Sequence, residues 1–153
     1  MVLIDLQKAF DTVNHEILLS KLQANGVTSV SWFRSYLSDR QQCVEVGGVV
    51  SDFLSVTCGV PQGSILGPQL FLIYYINDLC NSVQSDLSLY ADDSALIFAH
   101  RDPLFISSHL NSQLNTCKHW LIDNKLSLHV GKTECILFGL RRKLKKVEGF
   151  QVT

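Results

Sequence analysis

No apolar run in this 153-residue chain approaches the ~20 residues that cross a bilayer; the longest, Leu70 to Ile76, stops far short. A membrane-spanning helix is therefore excluded. The opening MVLIDLQKAF lacks a basic start and carries Asp5, so it does not read as a secretory signal. Cys43, Cys58, Cys80, Cys117 and Cys135 are odd in number, with no C-x-x-C among them. That excludes a disulfide framework and a zinc knuckle, and predicts reduced, mostly buried thiols. An intracellular protein is expected, nuclear or cytoplasmic. The histidines (His15, His100, His109, His119, His129) form no H-E-x-x-H and no paired zinc spacing. Repeats, low-complexity tracts and linkers are lacking too. With 46% apolar and 18% charged residues and only 3 prolines, the expectation is one compact domain with its own core.

Positive charge is also in short supply. Residues 1–140 hold 8 Lys/Arg against 13 Asp/Glu, a formal −5, whereas residues 141–153 hold 5 against 1, or +4. The body thus lacks the basic face of an autonomous nucleic-acid binder. The basic tail, 141–153, opens with RRKLKK, which reads either as a phosphate contact or as a solvated end.

What is present is a clear succession of elements. VLIDL reads as a short buried strand, then comes a helix over about 14–24 with Val13, Ile17, Leu18 and Leu22 on one side. A second helix is expected over 29–38. QCVEV and VVSDFLSV flank Gly47-Gly48, a pair suited to a tight hairpin. The Gly/Pro-rich loop GVPQGS leads into a buried helix that tolerates Pro68 only in its first turn. LSLYADDSALIF reads as a hairpin with Asp92 and Asp93 at its tip. Asp102-Pro103 caps a long helix whose stripe is Ile106, Leu110, Leu114, Cys117 and Leu121. SLHV and TECILF read as strands. With the middle insertion set aside, the order is β-α-β-β-α-β, an α+β, ferredoxin-like arrangement with an antiparallel sheet backed by helices.

In that arrangement the first strand and the hairpin are central neighbours, which brings Asp5 beside Asp92. Adjacent carboxylates stay ionised cheaply only with cations between them, and hard cations such as Mg²⁺ or Mn²⁺ suit oxygen ligands. Two such ions can serve in-line phosphoryl displacement. Taken alone, an Asp-Asp pair in a turn is more commonly plain turn chemistry.

The segments LIDLQKAFDTVNH, GVPQGSILGP and YADD, in this order and spacing, resemble the palm of a reverse transcriptase of the non-LTR (LINE-type) retrotransposons. The resemblance runs over about 2–139. It implies an RNA-directed DNA polymerase that joins a primer 3′-hydroxyl to a dNTP with two Mg²⁺ (or Mn²⁺) ions. RNA template, DNA primer and dNTP would be its partners. Asp5 matches the metal-binding aspartate of the first motif, and the Leu6 carbonyl would complete a metal shell. Gln7, Lys8 and Ala9 match the stretch whose N–H groups face the triphosphate. Phe10 matches the aromatic gate against a 2′-hydroxyl, or else is a core ring. Asp11 belongs to the same motif with no catalytic role assigned.

Within the second motif, Gln62 would contact the nucleotide, and Gly63 would let the backbone approach template and base. Asp92 would bind metal with Asp5, Asp93 would adjoin and tune the site, and Tyr90 and Ala91 would flank the primer end. Lys132 matches a lysine proposed to protonate the departing pyrophosphate, or is a surface lysine after a glycine turn.

Two departures stand out. LFLIYYINDL has one more tyrosine, Tyr74 or Tyr75, than the family's usual LFLxYINDL, and an extra residue turns the rest of a helix by ~100° unless a bulge absorbs it. His129 stands where the family usually has Asn. The resemblance further implies that residues 1–153 form a single partial domain whose fingers, thumb and any endonuclease lie elsewhere. A catalytically inactive remnant or interaction fragment is the alternative reading. A nucleotide cyclase is disfavoured because it has no template to accommodate.

Overall fold

The computed structural model describes residues 1–145 and 147–152. In chain order its elements are strand β1 (Val2–Asp5), a 3₁₀ turn (Ala9–Asp11), helices α1 (His15–Ala24) and α2 (Val30–Leu37), and short strands β2 (Gln41–Gln42), β3 (Glu45–Val46), β4 (Val49–Val50) and β5 (Leu54–Ser55). Helix α3 (Leu66–Gln69) runs into a π-helix (Leu70–Tyr75) and a 3₁₀ turn (Asn77–Asn81). Strands β6 (Asp86–Tyr90) and β7 (Asp93–Ile97), helix α4 (Pro103–Asp123), a 3₁₀ turn (Val130–Lys132), strand β8 (Glu134–Cys135) and helix α5 (Arg141–Leu144) complete it. The fold is α+β. The basic tail is described except at Lys146 and Thr153, which lie outside the described residues.

Two compact units make up the chain: residues 1–9 with those from Asn77 on, and residues 10–76. The first unit holds a four-stranded antiparallel sheet in the order β6-β7-β1-β8. Alternation along β1 sends Val2 and Ile4 into the core and Leu3 and Asp5 to the other face. Helix α4 starts as expected, with Asp102 Oδ1 accepting from the Leu104 N–H and Pro103 in the first turn. Its buried stripe is Ile106, Leu110, Cys117 and Leu121, while Leu114 is only half-buried. Val2 and Ile4 share with Cys117 and Leu121 the lining of a cavity of about 660 Å³.

One expected strand is largely absent. SLHV contributes only a bridge, Leu128 opposite Leu6, and TECILF is reduced to Glu134–Cys135. The His129 carbonyl accepts from both Lys132 and Thr133 N–H, and the 3₁₀ turn Val130–Lys132 so formed separates the Leu128 bridge from β8, where one continuous ladder would need extended backbone.

The second unit packs α1 on α2 and on the π-helix. Asn14 caps α1 through its side chain, which accepts from the Ile17 N–H at 3.0 Å. The hairpin turn at Gly47-Gly48 forms with φ of 59° and 80°, joining β3 to β4. Pro68 falls in the first turn of α3. The additional tyrosine is taken up by the π-helix, whose wider turn holds one more residue without rotating the positions after it. Phe71 and Tyr75 remain on one side, ring centroids 6.3 Å apart, both fully buried. The Tyr75 hydroxyl accepts from the Asn14 N–H at 3.0 Å, and Lys21 Nζ donates to the Tyr75 carbonyl at 2.7 Å. The thiols depart from expectation, since only Cys117 is buried and the other four are exposed. Cys43 and Cys58 lie outside strands and helices, Cys80 in the 3₁₀ turn Asn77–Asn81 and Cys135 in the edge strand β8.

Candidate active site

On the open face of the first unit's sheet, register decides which carboxylates meet. Asp5 lies directly opposite Asp93, not Asp92. The reason is the hairpin: Tyr90 pairs with Asp93, so the connection is the two-residue turn Ala91-Asp92, and Asp93 is already the first residue of β7. Ala91 has φ 55°, the left-handed first position of such a turn, where glycine is the usual occupant. The Asp5 carbonyl accepts from the His129 N–H at 2.8 Å, so its backbone hydrogen-bonding groups face away from β7. Asp5 and Asp93 are therefore a non-hydrogen-bonded pair, the kind with Cα atoms about 4.5 Å apart and side chains closest.

Like charges directly opposite destabilise a sheet. The structure answers with a cation: Lys132 Nζ lies 3.9 Å from Asp5 Oδ2. Tyr90, Ser88 and Ala95 share with these groups the lining of a shallow cleft of about 360 Å³. Backbone alternation turns the Leu6 carbonyl toward the β7 edge, one step beyond the Asp5–Asp93 pair. At the neighbouring turn, the Gln7 N–H already donates to the Ser127 carbonyl at 2.8 Å, which removes it from the donors expected to face a triphosphate. Lys8 is held at φ 49°, and Ala9 is buried.

Phe10, Gln62 and Gly63 belong to the second unit. The Phe10 ring packs against Phe71 with centroids 4.7 Å apart, and its carbonyl accepts from Val60 N–H. Gln62 Nε2 donates to Asp11 Oδ1 at 2.6 Å. Gly63 adopts φ 77° with open space where a Cβ would stand, so here its need is conformational. Gly59 is different: at φ 88° an added Cβ would lie 2.8 Å from the Asp11 carbonyl oxygen. Close backbone passage there sets Asp11 beside the loop that carries Gln62.

Residues 1–152, nearly the whole chain, match the family described as reverse transcriptase (RNA-dependent DNA polymerase). The chain belongs to the reverse transcriptase family. It is 33% identical over 133 residues to a probable RNA-directed DNA polymerase from transposon BS of Drosophila melanogaster, covering 79% of this chain and 15% of that protein. Against the RNA-directed DNA polymerase from mobile element jockey of the same fly, identity is 27% over 146 residues, covering 90% and 16%. A Pol polyprotein from the type-1 retrotransposable element R2 of Popillia japonica is 35% identical over 75 residues, covering 48% and 12%. These relatives are polymerases of non-LTR retrotransposons. The chain spans about one-sixth of the length of the first two.

For this reverse transcriptase chain the donor set can be tested against a divalent ion. Among the described residues no three His, Cys, Asp or Glu side chains gather as a metal cage. The facing pair Asp5 and Asp93 still fits Mg²⁺, which relies on one or two carboxylates plus substrate phosphates. Asp11 is the residue that sequence reasoning left without a role; its place is to hold Gln62. The signal was its position in the first motif, but only the fold brings residues 11 and 62 together. His129 contributes its backbone: N–H to Asp5, carbonyl to Lys132 and Thr133. Among the described residues no helix is long and apolar enough to cross a membrane.

Proposed function

We propose that this chain is the catalytic palm segment of an RNA-directed DNA polymerase. The observation that carries the reading is the direct opposition of Asp5 and Asp93 across β1 and β7, with Lys132 beside them. The β6-β7-β1-β8 order supports a ferredoxin-like palm, with β1 and β7 central. In the reaction the primer 3′-oxygen bonds to the α-phosphorus of a dNTP, the bond from that phosphorus to pyrophosphate breaks, and the hydroxyl proton passes to solvent water. Asp5, Asp93, Asp92 and the Leu6 carbonyl would hold Mg²⁺ or Mn²⁺, which supplies charge stabilisation at the attacking and leaving oxygens. Lys132 supplies positive charge and a proton at the departing pyrophosphate. On the second unit Asp11 fixes Gln62 and Phe71 backs Phe10; the family resemblance would give Gln62 a contact with the nucleotide and Phe10 the gate at its sugar.

The test is dNTP incorporation on a primed RNA template by this chain extended to the length of its relatives. Asp5→Asn and Asp93→Asn should each abolish it. Removing one of two facing charges should at the same time raise the melting temperature by roughly 1–3 °C in metal-free buffer. A polymerase that tolerates Asp93→Asn would refute the role of the pair. A folded but silent extended chain would instead favour the inactive remnant.

A further inference from the structure

The second unit carries a stacked ladder that the polymerase reading does not use. Trp32 and Tyr36, four residues apart on α2, lie with planes 7° from parallel and centroids 5.6 Å apart. Arg40 continues the column, its guanidinium carbon 5.2 Å from the Tyr36 ring centroid and its Nη1 donating to the Tyr36 carbonyl. Phe33 braces the Trp32 ring edge-on at 5.1 Å. The ladder is anchored at several points. Tyr36 Oη meets Ser64 Oγ at 3.2 Å, and that hydroxyl is itself bonded to the Pro61 carbonyl and the Gly67 N–H. The Arg40 carbonyl accepts from Val56 N–H. Trp32 is 53% exposed, so an indole otherwise expected to seek cover is left open. Among the described residues Arg34 is committed to Glu16 through both nitrogens, while Arg40 has no carboxylate partner.

We infer that this ladder binds a single-stranded polynucleotide, which in the reading proposed above is the template strand. A pre-stacked indole with an open face extends naturally onto a nucleobase, whose π-face costs no sequence specificity. The unpaired guanidinium at the other end of the column supplies the charge complementary to a phosphate. Tyr36 ties this platform to Ser64, two residues from Gln62, so a strand lying on it runs beside the loop expected to contact the nucleotide. An apolar peptide surface would not need the free cation, and a duplex, with its bases already stacked, could not use the indole.

The full 153-residue chain, in EDTA and without dNTP, is titrated into a 5′-fluorescein-labelled 12-nucleotide oligoadenylate RNA; anisotropy of the label gives the affinity of every variant, and tryptophan fluorescence is read in parallel on chains that keep Trp32. Quenching of Trp32 is expected, with Trp120 as the internal reference that remains in Trp32→Phe. Trp32→Ala should weaken binding roughly 5- to 150-fold, and Trp32→Phe should recover most of it. Arg40→Gln should lower the slope of log affinity against log salt by about 1. Duplex RNA of equal length should compete poorly. Unchanged affinity in Trp32→Ala, with its helical circular dichroism intact, would overturn the inference. So would quenching by a proline-rich peptide with none by RNA, which would assign the ladder to a protein partner. Asp93→Asn should leave the quench untouched, so a failure of stacking and a failure of the polymerase reading are read separately.

Discussion

Deleting Tyr74 discriminates sharply between two accounts of residues 66–76. If the π-helix stores one extra residue, its removal closes the wide turn into regular α-helix. Leu70 and Phe71 precede the change and stay, and Tyr75 keeps its place against α1, with its hydroxyl on Asn14 and its carbonyl on Lys21. Tyr74 itself is only half-buried, so the deletion removes little burial. The expected cost is under ~1.5 kcal/mol. If instead the stretch behaved as an ordinary helix, the deletion would swing Tyr75 and Ile76, both fully buried, by about 100°. Expelling two such side chains costs about 1.5–3 kcal/mol each, and the stranded Asn14 N–H about 1–3 kcal/mol more. That sum approaches the whole stability of a typical domain. At roughly 2–4 °C per kcal/mol for a chain of this size, the two accounts predict a melting-temperature loss below ~6 °C or above ~8 °C. Scanning calorimetry reads the difference, and Tyr75→Phe, which takes the hydroxyl from the Asn14 N–H, calibrates it at an intermediate loss. A near-complete loss of cooperative unfolding on deleting Tyr74 would refute the reasoning.

Two other expectations test the packing of each unit. Gly59→Ala should cost about 2–6 kcal/mol, combining a left-handed φ with a Cβ driven onto Asp11, whereas Gly26→Ala, at φ 80° in open space, should cost only about 1–2 kcal/mol; equal melting shifts would refute the close passage. Burial pushes the Cys117 thiol from the usual 9.0 up to about 11. The fold prefers its neutral form, so that contribution is whole below pH 9 and is lost as pH rises through about 11. Ellman's reagent at pH 8 should therefore count four thiols in the native chain and a fifth only on unfolding, and five fast thiols would contradict the burial.

Much of this molecule is legible from local chemistry. The cap at Asp102, the stripe of α4, the Gly47-Gly48 turn and the first-turn place of Pro68 all arise from preferences that operate within a few residues. Such preferences need no knowledge of the remainder of the chain. The failures differ in cause. SLHV has the apolar pattern of a strand and does bridge to Leu6 through Leu128, yet the doubly accepting His129 carbonyl starts a 3₁₀ turn at Val130 that ends the pairing there. The cysteines have a composition that suggests burial, but burial depends on which layer covers an element, and only α4 is positioned to hide one.

For the candidate site, the three motifs and their order are properties of the sequence alone, and they suffice to identify the family and to nominate Asp5, Asp92, Asp93 and Lys132. Which carboxylate faces Asp5 was decided by tertiary structure. A hairpin whose turn is Ala91-Asp92 places Asp93 on the ladder, and because side chains alternate with period 2, a slip of one residue would have turned that carboxylate to the opposite face. The link from Asp11 to Gln62 and the column of Trp32, Tyr36 and Arg40 against Ser64 likewise join positions far apart in sequence. No spacing rule reaches across such distances; only the packed chain brings those groups within a hydrogen bond of one another.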